Sequence, residues 1–225
     1  MAKLVLIIVA VSYLLGSIPF GYLLVRIFRG VDVRTTGSGN IGATNVARTG
    51  SKGLGIATLL LDALKGSAAV VIAGFLIRSG YFVSGRLPNP NPNGVSWHQI
   101  ATGIAPTLCA LAGLFAIIGH VFTPWLGFKG GKGVAAAAGA FAALAPRAFL
   151  LALVAFAIAV VLTRYVSLGS IVAAVAFPII FYWTAAPART NVPVAFLMGI
   201  ASLLIIVRHK DNIRRLLAGT ENRLR

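Results

Sequence analysis

Residues 54–77 read LGIATLLLDALKGSAAVVIAGFLI, a run of 24 residues interrupted by only two charges, Asp62 and Lys65. An α-helix needs about 20 mainly apolar residues to cross a bilayer, so this run predicts a membrane-spanning helix. Further apolar runs lie at 4–25, 100–118, 134–145, 148–163, 166–184 and 192–207. The chain is 58% hydrophobic and 11% charged, whereas soluble domains carry about 25% charged residues. The sequence therefore predicts an all-α polytopic membrane protein with about seven transmembrane helices in one domain, residues 1–225.

The number of spans decides which loops share a side of the membrane. Residues 134–163 could instead form one long helix kinked at Pro146, which would give six spans. With seven spans, 14 of the 20 lysines and arginines fall on one side and five on the other, and Lys65 lies within a span. Because cytoplasmic loops are enriched in Lys and Arg, this distribution predicts an outside N-terminus and a cytoplasmic C-terminus. Residues 79–99 contain the sequence PNPNPNG and are expected to form an irregular outside loop without chemistry of their own.

The chain is strongly basic, with a net charge of +16. The enrichment of cytoplasmic loops in basic residues and their attraction to anionic headgroups explain much of this excess. The aromatic residues lie mostly in the apolar runs rather than among the basic residues, so nucleic-acid binding is not expected. Cys109 is the only cysteine, and the three histidines are far apart in the sequence. Neither an internal disulfide nor a metal site is predicted, and no cofactor is expected.

The first polar segment, residues 37–48, reads GSGNIGATNVAR and contains no acidic residue. Its glycines allow the backbone to approach a ligand closely. Its hydroxyl and amide groups are neutral hydrogen-bonding groups, and Arg48 ends the segment with a planar cation suited to phosphate or carboxylate. The segment predicts an anion site; the alternative is a solvated loop between two membrane helices. The hydroxyl and amide side chains are those of Ser38, Asn40, Thr44 and Asn45.

The second polar segment, residues 127–133, reads GFKGGKG, follows the polar pair Gly119-His120, and leads into an alanine-rich helix that starts at Val134. Glycines just before a helix leave backbone N–H groups free to point at an anion, and the helix N-terminus adds partial positive charge. Lys129 and Lys132 add two full charges. The segment lacks the spacing of a P-loop, and no acidic residue follows that would hold magnesium. It predicts a phosphate site, with a flexible basic loop as the alternative.

The third polar segment, residues 208–222, begins RHKDN and contains the only glutamate of the chain, Glu221. His209 and Asn212 are three residues apart, so they share a face if the segment is helical. A single acidic residue among so many bases predicts a structural ion pair between Glu221 and an arginine. The alternative for the whole segment is a basic amphipathic tail that lies on anionic lipid.

Two further features lie near these segments. Asp62 and Lys65 are charges inside a span, where they are costly and usually paired or functional, and we expect a structural pair that supports the site. Ser167 follows a short turn that the seven-span topology places on the same side as the polar segments. It is a weaker candidate for the site.

Taken together, the segments resemble the bacterial acyl-phosphate:glycerol-3-phosphate acyltransferase family, known as PlsY. The resemblance rests on GSIPFG at 16–21, the first polar segment, GFKGGKGV at 127–134, and the third polar segment from His209 to Glu221. It implies a seven-span protein of the bacterial cytoplasmic (inner) membrane with its motifs on the cytoplasmic side. It also implies acyl transfer from acyl phosphate to sn-glycerol 3-phosphate, giving 1-acylglycerol 3-phosphate and inorganic phosphate. The substrates and membrane lipids are the expected partners, and no obligate protein partner is indicated.

The resemblance also implies roles for individual residues. The catalytic group is expected to be Ser38, Lys132, His209 and Asn212. The substrate-binding group is expected to include Asn40, Thr44, Arg48, Gly130, Gly131 and Gly133, with Glu221 structural. The sequence arguments above, rather than the resemblance, add Asn45 and Ser167 to the substrate-binding group and Asp62 and Lys65 to the structural group. Ala136 stands where the family often has threonine, so no hydroxyl is available there.

The residues favour direct transfer over an acyl-enzyme, because the sequence contains neither a Ser-His-Asp arrangement nor a His-x-x-x-x-Asp motif. Positioning and preorganised donors could supply most of the rate. The hydroxyl proton could pass to a substrate phosphate or to His209. The rival classes are a transporter for a phosphorylated solute and a noncatalytic lipid-binding scaffold. Transporters place their sites near the midplane in broken helices, whereas the polar segments here lie in loops on one side.

Overall fold

The computed structural model describes residues 1–49, 51–78, 97–184 and 192–224. Within these ranges the chain forms ten α-helices, two short 3₁₀ turns and no strand, which confirms the predicted all-helical class. The helices are α1 (Ala2–Ser17), α2 (Phe20–Arg29), α3 (Ala43–Arg48), α4 (Lys52–Arg78), α5 (Trp97–Val121), α6 (Val134–Leu144), α7 (Pro146–Thr163), α8 (Val166–Thr184), α9 (Val192–Arg208) and α10 (Lys210–Leu217). Most of the predicted outside loop at 79–99 lies outside the described residues.

The first apolar run, predicted as one helix over 4–25, is broken at Ile18 and Pro19. Proline lacks a backbone N–H and clashes with the preceding helical turn, so α1 ends before it and α2 begins after it. The carbonyl of Ile18 accepts a hydrogen bond from Lys65 Nζ at 2.7 Å. Lys65 therefore satisfies a backbone group that the break leaves without its helical partner.

In the part of the chain that the structure describes, five segments are long and apolar enough to cross a membrane: Ala2–Arg29, Lys52–Arg78, Gly103–Leu126, Pro146–Thr163 and Val166–Thr184. A sixth results if α9 and α10, which are bent by 54° at their junction, are counted as one. The predicted count of about seven is not confirmed. The count of six differs from the predicted seven by α6. Its 11 residues give a helix of about 16 Å, roughly half the thickness of a bilayer's hydrocarbon core.

The alternative of one long helix kinked at Pro146 is also wrong, because α6 and α7 are separate helices. Ala145 between them has φ −146° and ψ 69°, which is not helical, and Pro146 starts α7 at a position where its missing N–H costs nothing. The two helices also pack against different neighbours, α6 against α4 and α7 against α8.

Small residues let the helices pack backbone to backbone. A Cβ atom added to Gly66 of α4 would overlap the carbonyl of Ala136 in α6, and one added to Gly139 of α6 would overlap the carbonyl of Ala63 in α4. Such close approach is typical of helix association in membranes. It holds α6, and with it the second polar segment, against α4.

The end of α1 is joined to the end of α5. Thr123, just after α5, donates through its Oγ1 to the carbonyl of Ser17 at 2.6 Å, and Trp125 donates to the Ser17 hydroxyl at 2.9 Å. The loops that follow α2 and α5 therefore begin at the same end of the helix bundle.

Candidate active site

One cavity of about 250 Å³ brings the three polar segments together. Of the residues proposed from the sequence, the cavity is lined by Ser38, Asn40, Thr44, Asn45, Arg48, Asp62, Lys132, Gly133, Ser167, His209, Asn212 and Glu221. Gly130, Gly131 and Lys65 are not among its lining residues. The first segment ends at Arg48 and the third begins 160 positions later at Arg208, and their convergence on one cavity is the central observation about this molecule.

The first polar segment is shaped by Asn45, which lies on α3 and is buried. Its side-chain oxygen accepts from the Ser38 N–H at 2.8 Å, and its side-chain nitrogen donates to the carbonyls of Val33 and Thr36 at 3.1 Å and of Asn40 at 2.8 Å. The amide is thus engaged by the loop that it organises. A direct contact between Asn45 and substrate stays a prediction.

Other side chains of this segment remain open toward the cavity. Across the described ranges, the Ser38 hydroxyl, the Thr44 hydroxyl and the Arg48 guanidinium have no hydrogen-bond partner in the protein. All three side chains belong to solvent-exposed residues. They are free to donate to a ligand, and Arg48 does so with a full positive charge.

The second polar segment is docked on the end of α5, and this corrects the expected role of two glycines. The N–H of Gly130 donates to the carbonyl of Val121 at 3.1 Å, and the N–H of Gly131 donates to the carbonyl of His120 at 3.0 Å. These N–H groups are therefore not available to a phosphate, contrary to the sequence-based expectation. Gly133 has φ +86° and caps α6 in the left-handed region, which glycine adopts without strain.

Lys132 leaves this loop toward the third polar segment, and its Nζ donates to the side-chain oxygen of Asn212. Partial burial lowers the pKa of Lys132 to about 8; the negative charge of Glu221 opposes this shift, and Arg215 and Arg48 add to it. At neutral pH the side chain is mainly positive, but its charge is much more easily lost than that of an ordinary lysine.

The third polar segment is organised by Glu221. Its two oxygens accept from Arg215 Nε at 2.7 Å, from Asn212 Nδ2 at 2.8 Å and from the Ser167 hydroxyl at 3.0 Å. The predicted ion pair between Glu221 and an arginine is therefore present. Burial raises the pKa of Glu221, but the hydrogen bonds from Arg215, Asn212 and Ser167 outweigh burial and lower it below its usual value. Glu221 is an ionised anchor that orients Asn212.

His209 lies at the junction of α9 and α10 and is buried. Its Nδ1 is 2.8 Å from the carbonyl of Ile205, one turn back in α9. A carbonyl only accepts, so Nδ1 carries the hydrogen of this bond, and Nε2 of the neutral ring is left as an acceptor. His209 and Asn212 both line the cavity, as their spacing predicted.

Asp62 and Lys65 form the predicted pair, with Lys65 Nζ 2.7 Å from Asp62 Oδ1. The sequence reasoning missed His120, whose Nδ1 lies 3.5 Å from the same oxygen and which also lines the cavity. The available signal was its position, since Gly119 and His120 form a polar pair between an apolar run and the second polar segment. Among the described residues, no three His, Cys, Asp or Glu side chains are grouped so that they could hold a metal ion.

Part of the cavity wall is apolar and was also missed. It includes Leu59 of α4, Phe156 of α7 and Val166 at the start of α8. Leu59 and Phe156 belong to membrane-spanning segments, and Leu59 is 47% exposed among other exposed apolar residues of α4, Ile56, Leu60 and Leu64. The cavity therefore joins a cationic, hydrogen-bonding wall to an apolar wall that reaches the lipid-facing side, which suits an anionic head with an apolar tail.

The chain belongs to the glycerol-3-phosphate acyltransferase family, whose sequence model matches residues 6–219. It is 46% identical over 213 residues to a glycerol-3-phosphate acyltransferase of Mesorhizobium japonicum, covering 95% of this chain and 92% of that protein. It is 47% identical over 220 residues to one of Geobacter sulfurreducens, covering 98% and 97%.

Two solved structures have the same fold, both of PlsY (YgiH), an integral membrane glycerol 3-phosphate acyltransferase. The glycerol 3-phosphate form superposes with a TM-score of 0.79 at 34% sequence identity, covering 98% of this chain and 96% of that one. The lysophosphatidic acid form has a TM-score of 0.77 at 34% identity, covering 98% and 95%. This chain is thus an integral membrane protein of the PlsY type.

Proposed function

We propose that this protein transfers a fatty acyl group from an acyl phosphate to the 1-hydroxyl of sn-glycerol 3-phosphate, giving lysophosphatidic acid and inorganic phosphate. This reaction would begin phospholipid synthesis. The names of the relatives support the acceptor. The glycerol 3-phosphate and lysophosphatidic acid forms of PlsY support the acceptor and the product. The acyl phosphate donor is inferred from the family resemblance and from the chemistry of the cavity.

The charge balance of the cavity is the observation that carries the proposal. Its two acidic residues are each matched by a base, Asp62 by Lys65 and Glu221 by Arg215. Among the described residues, the cations that line the cavity without such a match are Lys132 and Arg48. Two unmatched cations beside free hydroxyl groups suit phosphate groups, which both substrates carry.

The apolar wall supports a lipid donor. An acyl phosphate has a phosphate head and a long apolar tail, and the cavity offers Lys132 beside Phe156 and Val166. Leu59 continues this wall to the lipid-facing surface, so a tail can remain in the bilayer while the head enters the cavity.

Direct transfer accounts for the residues present. The hydroxyl oxygen of glycerol 3-phosphate forms the new bond to the acyl carbonyl carbon, and the bond from that carbon to the phosphate oxygen breaks. In this scheme Lys132 and Asn212, which are hydrogen-bonded to each other, stabilise the negative charge that develops on the carbonyl oxygen and on the leaving phosphate. Ser38 and Arg48 orient the acceptor.

The hydroxyl proton has two acceptors in this scheme, the leaving phosphate and Nε2 of His209. The hydrogen bond from Nδ1 of His209 to Ile205 fixes the tautomer that leaves Nε2 free. Replacement of His209 by glutamine distinguishes the two routes. A loss of more than about 100-fold in kcat assigns the proton to the histidine, since general-base catalysis contributes about 10²–10⁴-fold.

The test of the function is turnover by purified protein in detergent. Palmitoyl phosphate is mixed with the protein, and phosphate release and lysophosphatidic acid are measured with and without sn-glycerol 3-phosphate. We expect both products only when the acceptor is present. Two matched controls are used. Glycerol replaces the acceptor and lacks its phosphate, and palmitoyl coenzyme A replaces the donor and lacks the acyl phosphate. Release of phosphate that does not depend on glycerol 3-phosphate would reject acyl transfer.

We also propose that the cavity faces the cytoplasm. The support is the uneven distribution of lysine and arginine between the loops at the two ends of the bundle. Single cysteines at Lys129 and Lys210, both exposed near the cavity, and at Lys3 near the other end can be labelled in a Cys109→Ala background. An impermeant thiol reagent added to spheroplasts should label only position 3. Labelling of position 129 or 210 before the membrane is opened would reverse the orientation.

A further inference from the structure

Asp62, Lys65 and His120 form a buried cluster beneath the second polar segment. Their relative exposures are 1%, 2% and 3%. Asp62 Oδ1 lies 2.7 Å from Lys65 Nζ and 3.5 Å from His120 Nδ1, and Lys65 is held in turn by the carbonyl of Ile18 at 2.7 Å. Buried charges in a membrane span are costly, yet the proposed reaction assigns no chemical step to any of the three.

The His120 ring is in contact with the loop that carries Lys132. A Cβ atom added to Gly131 would overlap the ring at Nε2, and the three nearest atoms to that Cβ all belong to the His120 imidazole. The N–H of Gly131 also donates to the His120 carbonyl at 3.0 Å. The backbone at Gly131 therefore rests directly on His120, one residue before the lysine that enters the cavity.

We propose that Asp62 and His120 are a positioning pair for Lys132. Asp62, itself fixed by Lys65, sets the orientation of the His120 ring. The ring sets the position of the backbone at Gly131. Because Lys132 is the next residue, this backbone position determines where the Lys132 ammonium contacts Asn212. The kinetic tests of this inference rest on the proposed function, whereas the contacts from which it is argued do not.

The contact between Gly131 and His120 gives a size-exchange test. Gly131→Ala adds a methyl group where the ring lies, and we expect kcat/KM for acyl transfer to fall about 100-fold. His120→Ala removes the ring and should cost about tenfold through loss of positioning. In the double variant the methyl group occupies the space of the missing ring, so the combined loss should stay near tenfold instead of reaching about 1,000-fold, because contacting residues are not additive. A multiplicative loss would overturn the contact on which the proposal depends.

A second cycle separates positioning from direct contact with substrate. His120→Ala is combined with Lys132→Ala, and the double variant should be no slower than Lys132→Ala alone, because His120 acts through the lysine. If the two losses multiply, His120 acts on the substrate independently, and the positioning role is rejected. Asp62→Asn leaves Lys65 unpaired in a span and is expected to lower stability, so the His120 variants are decisive.

Chemical labelling tests the same inference without any turnover. Lys132 is modified with an amine-reactive reagent and quantified by mass spectrometry against Lys129 and Lys210, which are exposed and serve as internal standards. We expect its relative labelling to rise at least threefold in His120→Ala. Thr123→Val is the matched control, because it removes a buried hydrogen bond at the same end of α5 and should leave the labelling unchanged.

The two proposals fail separately. Unchanged labelling of Lys132 in His120→Ala overturns the positioning pair, whatever the activity of the protein. Wild-type protein without acyl transfer overturns the proposed function, and the labelling experiment then still decides whether His120 places Lys132.

Discussion

The protonation of Lys132 should set the upper pH limit of activity. Its pKa is lowered to about 8 by partial burial. In the proposed function the positive form binds phosphate, and this form is present below the pKa and is lost as the pH rises through it. A group with a pKa near 8 is about 90% charged at pH 7 and about 10% charged at pH 9. We therefore expect kcat/KM to be nearly constant up to pH 7 and to fall about tenfold by pH 9.

The assay is the pH dependence of kcat/KM for glycerol 3-phosphate, because this ratio reports the ionisation of groups in the free enzyme. Spontaneous hydrolysis of acyl phosphate is subtracted at each pH. Lys132→Arg is the informative variant, since the guanidinium stays charged over the whole range. We expect Lys132→Arg to be slower than wild type at pH 7 but to show no decline toward pH 9.

Lys129→Arg is the matched control, because Lys129 belongs to the same loop but lines a neighbouring cavity rather than the one that Lys132 enters. It should keep the wild-type pH profile. The reasoning is refuted if wild-type kcat/KM is unchanged at pH 9, or if Lys132→Arg declines as the wild type does.

Three other substitutions test individual residues. Arg48→Lys keeps the charge but loses the planar guanidinium, and with it a charge-assisted hydrogen bond of about 1.5–3 kcal/mol. KM for glycerol 3-phosphate should therefore rise ten- to a hundredfold, with much less effect on KM for acyl phosphate. Wild-type constants for both substrates would remove Arg48 from the site. Glu221→Gln weakens three hydrogen bonds and should lower stability by about 2–3 kcal/mol, measured by thermal unfolding in detergent. The loss is no larger because the Arg215 side chain is 36% exposed and its ion pair with Glu221 is partly screened. An unchanged melting temperature would show that Glu221 is not the anchor. Asn45→Ala removes four hydrogen bonds of about 1 kcal/mol each and should lower stability by about 3–5 kcal/mol. Residues 33–40, which these bonds hold, should be cleaved early in limited proteolysis. Full stability with lost activity would instead indicate that Asn45 contacts the substrate.

The sequence was sufficient to predict the helical membrane class and the convergence of the polar segments. Both follow from strong local signals, because long apolar runs and clustered basic residues have few alternatives in a membrane. Glu221 was also predictable as a partner of arginine, since it is the only glutamate among many bases. These predictions need only composition, spacing and charge.

The remaining features depend on contacts between distant residues. Gly130 and Gly131 look like open backbone donors in the sequence, but their N–H groups are taken by the end of α5. Asn45 looks like a ligand, but its amide holds its own loop. His120 stands close to the second polar segment in the sequence, but its role appears only when Asp62 and Gly131 are brought against it.

The length of α6 likewise could not be predicted from the sequence. The alanine-rich run looks like a span, and only its packing against α4 and the non-helical Ala145 show where it ends. The break before Pro19 had a clear local signal in the proline itself. The sequence could not show that a lysine 47 positions away would satisfy the freed carbonyl.

The apolar wall formed by Leu59, Phe156 and Val166 has a consequence for how the protein meets its reactants. In the proposed reaction, glycerol 3-phosphate is dissolved in water, where its concentration is counted per volume. The other is confined to a two-dimensional sheet, where what matters is its mole fraction among the surrounding lipids. Dilution of the bilayer with inert lipid should therefore slow the protein at constant bulk concentration, as it does for interfacial catalysts. Through this wall, membrane composition itself becomes a kinetic variable.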